Sequence, residues 1–586
     1  MSIIDKTSSF FLCFIIFIIP ILVFHKNYHL SIDEQSLLPF SNKISDFYYF
    51  YRQRTLLTIS FFLLIIFIFR IIKYSLEFNI YYYLIIGIVL FIVSSAFFSK
   101  HIYISWNGYY YMLEGALVLL SYFLLVVISM NVLTENRITH IISSIYFVTI
   151  LVLIIGFFQI FNLNFSHTFW KLISNSTGDI ISFGKNIDST FGNSNYLGCF
   201  LTLTTPFIFI NFFLEKNTRI LFLKGLISFL SIFIILESNS RSAILGSITF
   251  IILFSIFFRH FLLVNKKKSL FFFIFLFLIF PSFYFINKSI STKDIETNKK
   301  EKLFIKNIDI NTNLVTIHNN YKTFSIKFFD NKINIFDLDN NLIPFKVDSS
   351  GKANGIHKVF DYFKIILGLY QNHKFISIAA DDIDLNFILK KNSIFYLNPS
   401  GKLVNKITNP ESIGFHNKEE LYSGRGFIWS RTFPLLRKCI FFGYGANNLA
   451  FYFPQDDYVG KLNTFKRDNV IVEKPHSMYL EFWLSNGLLS LILLLVFFII
   501  YISDSINLYK NLKVLTRLEI YGITIFISIL STLSILFFND SMLGYAPLFW
   551  ILIGTGVFIN DRVKRIKKLE GNLVGDEGFE PPTPSV

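Results

Sequence analysis

Apolar residues come in runs of about twenty with almost no charges, long enough to cross a hydrocarbon core of about 30 Å as helices. Such runs read at about Phe10–Phe24, Leu56–Ile72, Ile80–Phe98, Tyr109–Leu133 and Ile141–Ile160. They continue at about Asn195–Leu214, Ile220–Leu236, Ser242–Leu263 and Ser269–Ile286. After a long polar stretch three more follow, at about Asn486–Ile506, Ile520–Phe538 and Leu543–Ile559. The pattern predicts an all-α polytopic membrane protein of about twelve transmembrane helices. The first run has no small-residue cleavage site after it, so it reads as a retained span.

The stretch between the ninth and tenth runs is too long for a connecting loop and must carry its own fold. Its first part alternates with period two, as in KLFIKNIDI, TFSIKFFD and KINIFDLD, between turn clusters such as Asp339-Asn340-Asn341 and Ser349-Ser350-Gly351. The expected organisation is a helix bundle over 1–286, a β-rich insertion over 287–410 and a helical, Gly-turn loop over 411–485. A second set of membrane helices over 486–560 and a disordered tail over 561–586 complete it.

Composition sharpens the class. The chain is 53% hydrophobic and 16% charged, against about 25% charged in an ordinary soluble domain. The net charge of +15 does not imply a nucleic-acid partner, because the basic residues are spread through short loops where they set topology. With the N-terminus inside, the inner loops hold Arg70, Lys73, Arg137, Lys216, Arg219, Arg259, Lys266, Lys267 and Lys268, among others. The outer short loops are poorer. Both termini are therefore expected in the cytoplasm and the long insertion outside. Cys13, Cys199 and Cys439 form neither a disulfide framework nor a metal set. Neither a metal nor a cofactor is expected, and the Asp-x-Asp pairs Asp337/Asp339 and Asp382/Asp384 read as turn chemistry.

Four polar features fall on the outer face. Arg241 sits in LESNSRSAILG between two spans, where an ionisable group is costly and tends to be functional; its bland alternative is a helical pair with Glu237. STFGNSNYLGCF brings Asn193, Asn195 and backbone NH groups to a helix start, suited to an N-cap or to an anion. Arg425 lies in SGRGFIWS, where a Gly-flanked guanidinium can approach a phosphate bidentately or simply be solvated. His476 precedes the helix MYLEFWLSNGLL; a helix start disfavours the imidazolium, leaving a base near pH 7. Alone, such a histidine is more often structural. Glu114 and Glu481 are further polar candidates with helix-packing alternatives.

Taken in order, STFGNSNYLGCFLTL, SNSRSAILG, SGRGFIW with FFGYGANNL, and PHSMYLEFWLSNGLLSL resemble the O-antigen ligase and O-antigen polymerase family, over about residues 140–500. The resemblance implies a bundle of about twelve membrane helices with a large external loop. It implies glycan transfer from an undecaprenyl diphosphate carrier to a hydroxyl of an acceptor glycolipid or glycan, on the outer face of a bacterial inner membrane. The family's Ser-Arg motif falls on Ser240-Arg241, its loop arginine on Arg425 and its loop histidine on His476. The resemblance implies that the arginines hold the diphosphate and that His476 activates the acceptor, with inversion and without metal. The β-rich insertion departs from shorter members and leaves the acceptor open. Ligase and polymerase remain alternatives. A transporter of an anion or lipid-linked sugar, and a non-catalytic scaffold, are the readings from other classes.

Overall fold

A computed structural model describes residues 3–576, apart from 39–40, 75, 162–186, most of 271–302 and short stretches at 322, 330–331, 381–382, 391–392, 399–400, 511 and 513–514. Eight helices among the described residues are long and apolar enough to cross a membrane. They are α1 (Ile3–Ile21), α2 (Phe50–Lys73), α3 (Ile80–Phe97), α5 (Glu135–Ile160), α6 (Ser194–Leu214), α7 (Thr218–Glu237), α12 (Leu488–Tyr509) and α13 (Arg517–Ile535). Two shorter apolar helices, α4 (Ala116–Val132) and α8 (Arg241–Phe257), belong to the same bundle. A final helix, α14 (Ala546–Asp576), packs against α4. The chain is thus a mostly helical, membrane-embedded protein. The run expected at 269–286 lies largely outside the described residues.

Burial separates the inside of the bundle from its rim. Helices α6 and α13 are buried on nearly every side and sit at the centre. Helix α2 turns Phe61, Phe62, Ile68 and Phe69 outward, as a helix facing lipid does. Close contacts inside rest on small residues. A Cβ on Gly198 of α6 would stand 2.6 Å from the Ala243 Cβ and 2.9 Å from the Ser240 Oγ of α8. The bare glycine lets the start of α8 lie against the start of α6.

Several boundaries move. The run expected as a span from Tyr109 begins its helix only at Ala116, because Gly108, at φ +90°, and Gly115 fold residues 108–115 into a tight turn. The run from Ser242 breaks at Phe258, where α8 ends. The segment from 561, expected to be disordered, continues as helix to Asp576; the helix formers of KRIKKLE extend α14 beyond the apolar run.

The expected β-rich insertion is present. Five antiparallel strands between Ile305 and Ile343 form one meander, and seven between Lys346 and Val404 form another. Their apolar faces share a core that includes Ile308, Ile317 and Phe324 from the first sheet and Ile365, Ile376 and Phe387 from the second. Asp337 accepts from the backbone NH groups of Asp339 and Asn341, so the Asp-x-Asp pair there is a turn; Asp382 lies outside the described residues. This core also takes in Tyr458, Val459 and Leu462 of helix α10 (Tyr458–Phe465). Asn463 locks the arrangement through both amide ends, accepting from the Ile305 NH at 2.9 Å and donating to its carbonyl at 2.8 Å.

Candidate active site

The turn before α6 is built on a buried cation. Arg52, on α2, is fully buried and donates to the carbonyls of Leu22 at 2.9 Å, Pro20 at 3.0 Å and Thr190 at 2.6 Å. It ties α1, α2 and the 187–192 turn together, a structural role. Asn193 then caps α6, its Oδ1 accepting from the Asn195 NH at 2.8 Å. Ser240 caps α8, its Oγ accepting from the Ala243 NH and donating to the Asn195 Oδ1 at 2.9 Å. Two helix starts and three of the expected residues therefore meet.

Arg241 is the first residue of α8 and is exposed. The expected alternative of a helical pair with Glu237 is not formed: the chain breaks at Asn239, φ +53°, between α7 and α8. Among the described residues Arg241 makes no ion pair.

Arg425 follows three residues in left-handed conformation, Tyr422, Ser423 and Gly424, and opens the helical part of α9 (Leu421–Leu436). Its Nη1 donates to the Tyr422 carbonyl at 3.0 Å, but its buried Nε has no acceptor. Burial lowers its pKa from the ordinary guanidinium value, with Asp540 and Tyr196 opposing and Arg241 reinforcing the shift. Two guanidinium charges thus act on one region, and among the described residues no carboxylate is ion-paired to either.

His476 stands before α11 (Met478–Asn486), half-exposed and at φ +52°. The sequence reading left it without a partner. Its Nδ1 lies 2.8 Å from the Oδ2 of Asp540, whose side chain is 1% exposed. Asp540 belongs to the short loop between α13 and α14. The Met478 NH binds the Leu536 and Asn539 carbonyls at 3.0 and 2.9 Å, holding that loop against the start of α11. Burial raises the Asp540 pKa, but His476, Lys474 and Arg425 outweigh it and hold the carboxyl below the usual range. An ionised carboxylate only accepts, so the proton of this bond sits on Nδ1; in the neutral imidazole the lone pair then lies on Nε2, the nitrogen that can act as a base.

Lys474, two residues before the histidine, is buried. Its Nζ lies 3.6 Å from the Glu114 Oε2 and 3.4 Å from the Ser541 carbonyl. Glu114 also accepts from the hydroxyls of Tyr122 at 2.6 Å and Ser541 at 3.0 Å. Glu481 accepts from Ser485 at 3.1 Å and keeps its helix-packing reading. A cavity of about 260 Å³ opens beside His476, lined by Asn193, Tyr196, Ser423 and Lys474, with Tyr111 and Glu473. Among the described residues no group of three His, Cys, Asp or Glu side chains is placed to hold a metal ion.

Asp540 is the main residue that the sequence reading missed. The signal was there: Asn539-Asp540-Ser541 interrupts two apolar runs, on the face that the topology assigns to the other candidates. Lys474 was hidden in the same way, inside a connector read only as polar.

No curated protein and no solved structure matches the chain. A family model described as O-antigen ligase matches residues 374–495, from the second β sheet through α9 and α11 into α12. That match takes in both Arg425 and His476, and over this segment the chain is similar to the O-antigen ligase family.

Proposed function

We propose that this protein transfers a glycan from an undecaprenyl diphosphate carrier to an acceptor hydroxyl at the outer face of a bacterial inner membrane. It spans that membrane about twelve times with both termini in the cytoplasm. The single observation that carries the reading is a buried Arg425 Nε without an acceptor, in a region shared with Arg241 and bordered by the His476–Asp540 pair. An anion answers what the protein leaves unanswered there. Arg241 and Arg425 hold the diphosphate, and the Asn193, Asn195 and Ser240 cluster shapes the adjoining wall.

The acceptor hydroxyl gives its proton to His476 Nε2 while its oxygen attacks the anomeric carbon. The bond from that carbon to the phosphate oxygen breaks, and the diphosphate leaves on the carrier. Its growing negative charge is met by the two arginines. Attack from the opposite face inverts the anomeric centre, and no metal is required. Asp540 fixes the imidazole tautomer and rotation and is a positioning residue. A transporter would carry its ionisable groups near the bilayer midplane, whereas these gather at helix starts and loops.

Replacement of Arg425 and of His476 by Ala, each followed by profiling of surface glycan and lipid-linked intermediates, tests this. Accumulated full-length carrier-linked glycan identifies a ligase; accumulated single repeat units identify a polymerase. Unchanged glycan in both variants at normal protein levels overturns the reading.

A further inference from the structure

The cavity beside His476 has two unlike sides. The arginines are absent from its lining, which on the side of Tyr111 and Glu473 is aromatic and acidic. The Tyr111 ring is 48% exposed and is braced from behind by Tyr49, with ring centres 5.9 Å apart, and by Tyr110 edge-on at 5.9 Å. Glu473 lines the same space, near enough to act electrostatically on Tyr109, Tyr110 and Tyr111. Among the described residues its carboxyl makes no hydrogen bond, although Lys474 beside it is fully engaged with Glu114 and Ser541. An open aromatic face with an unused carboxyl in the same cavity is the pairing that a pyranose ring satisfies. Its C–H face lies on the ring and its hydroxyls meet the carboxyl.

We propose that Tyr111 and Glu473 form the subsite for the acceptor's reacting sugar ring, which lies between them and presents one hydroxyl to His476. This rests on the glycosyl-transfer reading and adds the substrate class on its acceptor side. The donor's diphosphate is not held in this subsite, because the arginines that would bind it do not line the cavity. Size limits it as well. About 260 Å³ is at or below the low end of the roughly 300–1,000 Å³ of ordinary ligand pockets, so one ring enters and the rest of the acceptor stays outside. Burial pushes Glu473 up to about 8 against the pull of Lys474. At neutral pH it is therefore largely the neutral acid, able both to donate to one sugar hydroxyl and to accept from the next.

The test uses the full chain in lipid nanodiscs. Methyl β-glucopyranoside, methyl β-galactopyranoside and methyl β-N-acetylglucosaminide serve as probes, read by saturation-transfer NMR. At least one glycoside should bind the wild type. Glu473→Ala and Tyr111→Ala should each weaken that binding about tenfold or more, while Glu473→Gln and Tyr111→Phe retain most of it. No glycoside signal in the wild type, or equal signals in all five proteins, overturns the subsite. Carrier release from lipid-linked glycan extracted from source membranes, measured on the same samples, reports on the transfer reading separately. Release without sugar binding sinks the subsite alone. No release in the wild type sinks the transfer reading and, with it, the acceptor assignment.

Discussion

His476 Nδ1 and the Asp540 carboxylate stand 2.8 Å apart although 64 residues separate them in the chain. In the proposed reaction the exposed partner meets substrate, while the buried one holds it in a single rotation and tautomer. Asp540→Asn keeps the volume but can donate to Nδ1 and so favours the wrong tautomer. Transfer should fall by about 100-fold or more, with the KM for donor nearly unchanged. A variant that lost only folded protein, with normal turnover per molecule, would refute the positioning role.

Arg425 separates function from stability. Its Nε is buried without an acceptor, a desolvation cost that no hydrogen bond repays. Arg425→Met should therefore leave the thermal midpoint in detergent unchanged or raised while transfer is lost. Arg425→Lys restores charge without the planar fork and should recover only a small part of the rate. A marked drop in midpoint for the Met variant would mean that Arg425 is structural.

Arg52 should behave in the opposite way. Its carbonyl partners lie in two segments far apart in sequence, Pro20 and Leu22 in one and Thr190 in the other. In Arg52→Met the Leu22 and Thr190 carbonyls lose this donor, at roughly 1–3 kcal/mol per buried group, while Pro20 keeps the Thr190 hydroxyl. Protein yield and thermal midpoint should both fall. Wild-type yield and midpoint would show that the 187–192 turn is held by other means.

The Glu473 carboxyl predicts a pH-dependent stability. Below its ordinary value of 4.5 it is protonated in folded and unfolded chains alike and contributes no pH dependence. As pH rises from there to about 8, the unfolded chain releases a proton that the folded chain keeps, so stability is lost over that window. Glu473→Gln removes this term. Between about pH 5 and about pH 8.5 the variant's midpoint should fall by several degrees less than the wild type's. Parallel curves would show that the carboxyl titrates normally.

The membrane character was legible because a bilayer demands long uninterrupted apolar runs and the chain supplies them. Strand alternation between Ile305 and Val404 was legible for the same local reason. Arg241, Arg425 and His476 stood out because charge or imidazole is conspicuous beside glycine, proline and apolar neighbours. What local pattern does not carry is pairing across distance: Asn195 with Ser240, Lys474 with Glu114, His476 with Asp540. Those contacts exist only once α6, α8, α11 and the 536–545 loop are stacked. The turn at 108–115 was absorbed into a span because its tyrosines are apolar enough to extend the run. Only the close approach of Gly108 and Gly115 reveals the fold-back.

Helix α10 gives one face to the β core through Tyr458, Val459 and Leu462, while Phe465 at its end lines the cavity beside His476. The strands and the loop that carries Arg425 and His476 are therefore packed as one unit. A recombination that swapped only the strands would strand three apolar side chains without their complement. Viable crossover points lie before Ile305 and after Asp468, whose carboxylate is bonded to Tyr396 of the second sheet. Exchange of that whole block would bring in a different β domain, and each such exchange would also reset the wall of the cavity.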